Sequence, residues 1–165
     1  MKPVMEGRSL QSLLPQAHEC VLEIGTGSGY LTACLARLAR ERGVADRVRL
    51  PGNLPQEELV GCYNAADVLV LASSREGMPN VVLESLACGT PVIATAVGGI
   101  PELIDSDESG RLLAERSAAA IAGAVRALLA APPDRARVAT QGARFSWEPT
   151  IERLRQVMLE TATGT

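Results

Sequence analysis

Short apolar runs alternate along this chain with longer stretches in which apolar residues recur at helical spacing. Runs of this kind predict buried β-strands, and the helical spacing predicts one apolar stripe on each intervening helix. The predicted strands span residues 20–25, 47–51, 67–72, 91–95 and 110–114. The predicted helices span residues 9–16, 29–42, 55–65, 79–88, 117–131, 134–142 and 148–161, with a short turn at 101–104.

This alternation predicts an α/β fold in which repeated βα units build a parallel sheet. Right-handed crossovers that leave helices on both faces require one reversal, so the expected strand order is 2-1-3-4-5 in a three-layer, doubly wound sheet of the Rossmann or flavodoxin type. The loops 25–29, 51–54 and 73–79 should then share the crevice at the carboxyl ends of the strands. A length of 165 residues fits one domain over residues 1–165.

The amino-acid composition restricts the kinds of partner that this chain is expected to bind. Hydrophobic residues make up 47% of the chain and aromatic residues only 2%, so the core must be aliphatic and few rings are available to stack on bases. The formal net charge is −3, and the sequence shows no stripe of basic residues that could bind a phosphate backbone. Nucleic acid is therefore not an expected partner. A mean hydropathy of +0.12 points to some exposed apolar surface, through which a homodimer could form.

Neither a metal centre nor a membrane anchor is predicted. The four cysteines form no C-x-x-C pair, and the one histidine, His18, lies outside every motif, so reduced thiols in a cytoplasmic protein are expected and no metal ligand is assigned. Glu6 and Arg8 interrupt the N-terminal apolar stretch, and no apolar run is long enough to span a membrane. The cysteines are Cys20, Cys34, Cys62 and Cys88.

The first motif, VLEIGTGSGY at residues 21–30, places glycines directly after a predicted strand, where a ligand can approach the backbone. Residues 9–38 resemble the start of protein-L-isoaspartate O-methyltransferases. The resemblance implies an S-adenosylmethionine loop formed by Glu23, Gly25, Gly27 and Gly29. The second predicted strand, RVRLPGN, lacks the carboxylate that such enzymes use to bind ribose, and the alternative is a glycine turn that only packs strand against helix.

The second motif is EGMPNVVLESLACGTPV at residues 76–92. Together with ADRVRLPGNLPQEELVGCYNAADVLVLAS, GGIPELI and RFSWE, it makes residues 43–158 similar to the C-terminal half of retaining family-4 glycosyltransferases, which have two Rossmann-like domains. The resemblance implies that Glu76 lies by the donor sugar and that Glu84 accepts hydrogen bonds from ribose hydroxyls. Gly77, Asn80 and Val81 complete the expected nucleotide-sugar site, because free N–H groups at a helix start attract a diphosphate.

Two parts of a working glycosyltransferase have no counterpart here. The resemblance implies that Arg and Lys on a preceding strand neutralise the donor pyrophosphate, yet residues 9–36 contain neither. It also implies a separate N-terminal domain that binds the acceptor. We therefore interpret the chain as a recombined or engineered chimera of a methyltransferase-like segment, 1–40, and a glycosyltransferase-like segment, 41–165.

The chimera hypothesis implies a protein without native activity, with no catalytic residue and no resident cofactor. It predicts that UDP or GDP binds with a dissociation constant of about 1 mM and that S-adenosylmethionine binds no more tightly. Two alternatives remain open from the residues alone. One is a truncated glycosyltransferase domain that binds a UDP- or GDP-sugar, and the other is a small module that binds S-adenosylmethionine.

Overall fold

A computed structural model describes residues 21–22, 37, 40–41, 43, 45–49 and 54–163. All of its strand pairs are parallel, and they fall into two groups. Strand β1 pairs with β2, and strands β3, β4 and β5 pair in that order. Both groups agree with the predicted order 2-1-3-4-5, in which β1 and β3 would form the remaining pair. The strands are β1 (Val21–Leu22), β2 (Val48–Arg49), β3 (Leu69–Leu71), β4 (Val92–Thr95) and β5 (Gly110–Leu113).

Helices connect and flank these strands as the periodicity predicts. They are α1 (Gln56–Ala65), α2 (Asn80–Ala87), α3 (Ile100–Leu103), α4 (Ala118–Ala130), α5 (Arg135–Ala143) and α6 (Trp147–Thr163), with a 3-10 turn at Ala45–Arg47. Helix α3 occupies the predicted turn at 101–104, because Pro101 in the first turn of a helix needs no N–H partner. The predicted helix 9–16 lies outside the described residues, as does most of 29–42, of which Arg37, Arg40 and Glu41 are helical.

Strand β4 is the centre of the core and is buried along its whole length. Val92 and Ala94 pack on one face with residues of α2, α3 and α5, whereas Ile93 packs on the other face with Ile121 and Leu128 of α4. A strand covered on both faces is typical of parallel sheets in α/β proteins. The predicted three layers, helix on sheet on helix, are confirmed for this part of the chain.

Helices α2 and α5 approach each other closely through a glycine. A Cβ placed on Gly142 would lie 2.6 Å from the Ala87 backbone nitrogen, so a larger residue would push the two helices apart. Val138 of α5 is fully buried against Val82 and Leu86 of α2. This packing fixes α2, the helix that carries the candidate site, against the rest of the domain.

Helix α6 leaves its apolar stripe in solvent. Four of its apolar side chains are between 57% and 77% exposed: Trp147, Ile151, Leu154 and Met158. The predicted stripe of Ile151, Leu154, Val157 and Met158 therefore does not pack on the described core. None of the helices in the described ranges combines the length and apolar character required to cross a lipid bilayer.

Candidate functional site

The segment 73–79 joins the carboxyl end of β3 to α2 and carries the first candidate residues. Its start is fixed by the Thr95 hydroxyl at the end of β4, which donates a hydrogen bond to the Ser73 carbonyl. Thr95 is 4% exposed and Ser73 is half-buried, so the bond is partly shielded from solvent. The segment therefore leaves the sheet from a defined point at the edge where parallel α/β folds bind their ligands.

A second loop, 96–99, supports this segment from beside it. The Gly99 N–H donates to the Gly77 carbonyl at 2.8 Å. Gly98 has a φ of +56°, and a Cβ there would lie 2.0 Å from the Glu76 carbonyl oxygen. Only glycine allows both the left-handed conformation and this approach, which explains the paired glycines of the GGIPELI string.

The start of α2 presents unused N–H groups. In the described structure no side chain caps this helix, which follows Pro79. Of the first three N–H groups, that of Val82 donates to the Pro79 carbonyl at 3.1 Å, because the first turn tightens. Asn80 and Val81 remain as donors, and the helix dipole adds partial positive charge.

Gly77 borders open space next to this helix start. A Cβ on Gly77 would have no heavy atom within 4 Å, and the residue is exposed. The fold itself therefore does not require a glycine here. The space beside it can take a group that needs close contact with the backbone, such as a phosphate.

Glu84 lies one turn further along α2 and is held by a tyrosine. The Tyr63 hydroxyl of α1 donates to Glu84 Oε2 at 2.9 Å. Tyr63 is 2% exposed, and burial together with the hydrogen bond to Glu84 raises the pKa of Tyr63 well above its ordinary value. The phenol therefore stays protonated at neutral pH and acts as the donor.

The last turn of α1, which carries Tyr63, is itself anchored. The Thr90 hydroxyl donates to the Tyr63 carbonyl at 2.6 Å. The Arg135 guanidinium donates to the carbonyls of Asn64 at 3.0 Å, Ala66 at 2.8 Å and Cys88 at 3.2 Å. These carbonyls end α1 and α2, where a helix leaves acceptors without intrahelical partners.

Sequence reasoning missed Tyr63, Thr90 and Arg135. Helical periodicity places Tyr63 only on the apolar stripe of its helix. A buried tyrosine hydroxyl usually requires a partner, and that requirement was the available signal. Nothing in the local pattern marks Thr90 or Arg135, because their acceptors come from other elements. The described cysteines, Cys62 and Cys88, are free and half-buried.

The structure describes one of the two groups of predicted site residues. Glu76 is half-buried in the loop before α2, followed by exposed Gly77, and Glu84 lies on α2 itself. The residues predicted to bind S-adenosylmethionine lie outside the described part of the chain: Glu23, Gly25, Gly27 and Gly29. The described candidate site is therefore the α2 start with its two supporting loops.

The comparison with protein families supports the resemblance that the second motif indicates. A family model described as Glycosyl transferases group 1 matches residues 8–145. The chain belongs to this family. A D-inositol 3-phosphate glycosyltransferase of Thermomonospora curvata is 40% identical over 154 residues, which cover 89% of this chain and 35% of that protein. A second protein of the same name, from Mycolicibacterium gilvum, is 37% identical over 147 residues, 87% of this chain and 33% of its own length.

Solved structures give the same fold. Sucrose-phosphate synthase from Thermosynechococcus elongatus superposes with a TM-score of 0.73 at 29% identity, over 99% of this chain and 43% of that chain. Anabaena HepE, solved in complex with UDP and glucose, has a TM-score of 0.71 at 19% identity over 97% of this chain and 44% of that one, and it shows the fold alone. The group 1 chain spans about a third of the length of its curated relatives.

These matches correct the chimera interpretation. The group 1 match spans residues 8–145, which include residues 21–30 and the boundary between the segments 1–40 and 41–165. The comparisons give no support to a methyltransferase segment or a synthetic origin, and they favour the alternative of a glycosyltransferase domain. A glycine-rich turn between a strand and a helix serves close packing in any Rossmann-like fold, so VLEIGTGSGY did not identify one enzyme class.

Proposed function

We propose that this chain is the nucleotide-sugar-binding part of a group 1 glycosyltransferase, with the donor seated at the start of α2. The observation that carries the proposal is that three features occur together at the start of α2. The N–H groups of Asn80 and Val81 open α2, Gly77 leaves free space beside them, and the Glu84 carboxylate is held one turn further on. This arrangement suits a diphosphate followed by a ribose.

The roles of the side chains follow from the family resemblance and from the chemistry of the donor. The Asn80 and Val81 N–H groups would bind the diphosphate, whose negative charge grows as the glycosidic bond breaks. Glu84 would accept hydrogen bonds from the ribose hydroxyls, because an ionised carboxylate is an acceptor only. Glu76 would lie by the donor sugar, where its negative charge favours the positive charge that develops on the anomeric carbon.

The acceptor is a further part of the proposal. The curated relatives are named D-inositol 3-phosphate glycosyltransferases, and this chain matches them over about a third of their length. We infer that the enzyme containing this domain transfers a sugar to a phosphorylated inositol. UDP is one of the donor nucleotides to test, and Anabaena HepE, which has the same fold, was solved with UDP and glucose.

Calorimetric titration with UDP, GDP and ADP tests the proposal. We expect one of them to bind with a dissociation constant at or below about 1 mM. Glu84→Ala should weaken that binding about tenfold or more, because each hydrogen bond to a charged acceptor contributes about 1.5–3 kcal/mol. Glu57→Ala, at an exposed position on α1, is the matched control and should bind like the unmodified chain.

Two results would overturn this assignment. One is the absence of binding by all three nucleotides while the chain remains folded. The other is equal affinity in the Glu84 and Glu57 variants, which would remove the carboxylate from the site.

A further inference from the structure

The contact between Tyr63 and Glu84 joins helices α1 and α2, which are separated in the sequence by strand β3. The Tyr63 hydroxyl lies 2.9 Å from Glu84 Oε2, and the ring is 2% exposed. Within the described residues, Tyr63 is the one hydrogen-bond partner of the Glu84 carboxylate. The bond thus ties a buried side chain of α1 to the half-buried candidate ribose ligand on α2.

A single tyrosine bond leaves most of the carboxylate available. An ionised carboxylate has about four lone-pair positions on its two oxygens, and Tyr63 occupies one of them on Oε2. The remaining positions can accept two hydrogen bonds from neighbouring hydroxyls on one sugar. A free glutamate would have to lose its side-chain freedom when it binds such a pair, whereas this one is already oriented.

We infer that Tyr63 is a positioning residue: its hydroxyl holds Glu84 in the orientation that binds the vicinal diol of the donor ribose. The inference rests on the proposed function and adds a residue to that site. The tyrosine does not touch the ligand. It acts through the carboxylate, and its effect should therefore depend on Glu84 and on the diol.

The backbone around Tyr63 is built to keep the hydroxyl in place. Thr90, which follows α2, donates to the Tyr63 carbonyl at 2.6 Å, and Arg135 donates to Thr90 Oγ1 at 2.9 Å. The residue is thus attached to the α2 region through its main chain and its side chain. A tyrosine fixed at both ends gives the carboxylate a rigid support.

The test compares Tyr63→Phe with the unmodified chain, using whichever of UDP, GDP and ADP binds that chain. We expect the variant to bind this nucleotide about threefold to tenfold more weakly, as the carboxylate must now be ordered by the ligand. The 2′,3′-dideoxy form of the same nucleotide should bind both proteins equally, since it has no diol. In a Glu84→Ala background, Tyr63→Phe should have no further effect.

The outcomes separate the inference from the proposed function. If the nucleotide binds the unmodified chain but Tyr63→Phe leaves its affinity unchanged, or weakens both forms alike, the inference is wrong and the donor site stands. If no nucleotide binds the unmodified chain, both the donor site and the role of Tyr63 are overturned.

A measurement without ligand checks that the contact exists in solution. The chain has two tyrosines, so a Tyr30→Phe protein leaves one labelled phenol signal, that of Tyr63. Its ¹³Cζ resonance should shift when Glu84 is replaced by Ala, and it should not shift with Glu57→Ala. An unchanged resonance in the Glu84 variant would contradict the hydrogen bond and, with it, the inference.

Discussion

At the scale of single residues, the candidate site contains two glycines with different structural roles. Gly98 has a φ of +56° and supports the backbone of Glu76, whereas Gly77 borders open space. The first is required by the fold, and the second is required only if a ligand comes close. The second motif predicts Glu76, Gly77 and Glu84 as site residues. The hydrogen bond from Tyr63 to Glu84 joins two helices, and a local sequence pattern does not contain such a contact.

Substituting each glycine by alanine should separate these roles. Gly98→Ala should lower the free energy of unfolding by about 2–4 kcal/mol, because it adds a left-handed alanine and a clash with the Glu76 carbonyl. Gly77→Ala should change stability by less than about 0.5 kcal/mol and should weaken nucleotide binding. Urea unfolding and calorimetric titration measure the two effects. Similar stability losses in both variants would contradict this division.

At the scale of elements, the ends of α1 and α2 are joined by a single arginine of α5. The Arg135 guanidinium reaches carbonyls at the end of each helix, and Gly142 brings α5 close to α2. Periodicity predicted the described strands and the longer described helices, including α6, whose apolar stripe stays exposed. It missed α3, since four residues are too short to show a helical period.

Replacing Arg135 should loosen this junction. Arg135→Met should lower the free energy of unfolding by about 1–3 kcal/mol, since several helix-end carbonyls lose a charged donor. Arg126→Met, at an exposed position on α4, should change it by less than about 0.5 kcal/mol. Chemical denaturation of both variants makes the comparison, and equal stabilities would show that the guanidinium contacts contribute nothing.

At the scale of the whole molecule, the chain belongs to the group 1 glycosyltransferases and spans about a third of the length of its curated relatives. The parallel sheet with helices on both faces was predictable, because alternating strands and helices allow few arrangements. The family of residues 1–40 was not predictable, because a strand, a glycine turn and a helix meet the same packing need in many enzymes. The exposed apolar stripe of α6 likewise has no partner within the described core.

The most direct test of the central claim is to locate nucleotide binding on the folded chain. In an NMR titration with UDP, GDP or ADP, the account predicts that the largest amide shifts occur from Gly77 to Glu84. Titration with S-adenosylmethionine should leave residues 25–29 unshifted. Saturable shifts at residues 25–29 with S-adenosylmethionine, and none from Gly77 to Glu84 with any nucleotide, would contradict the account.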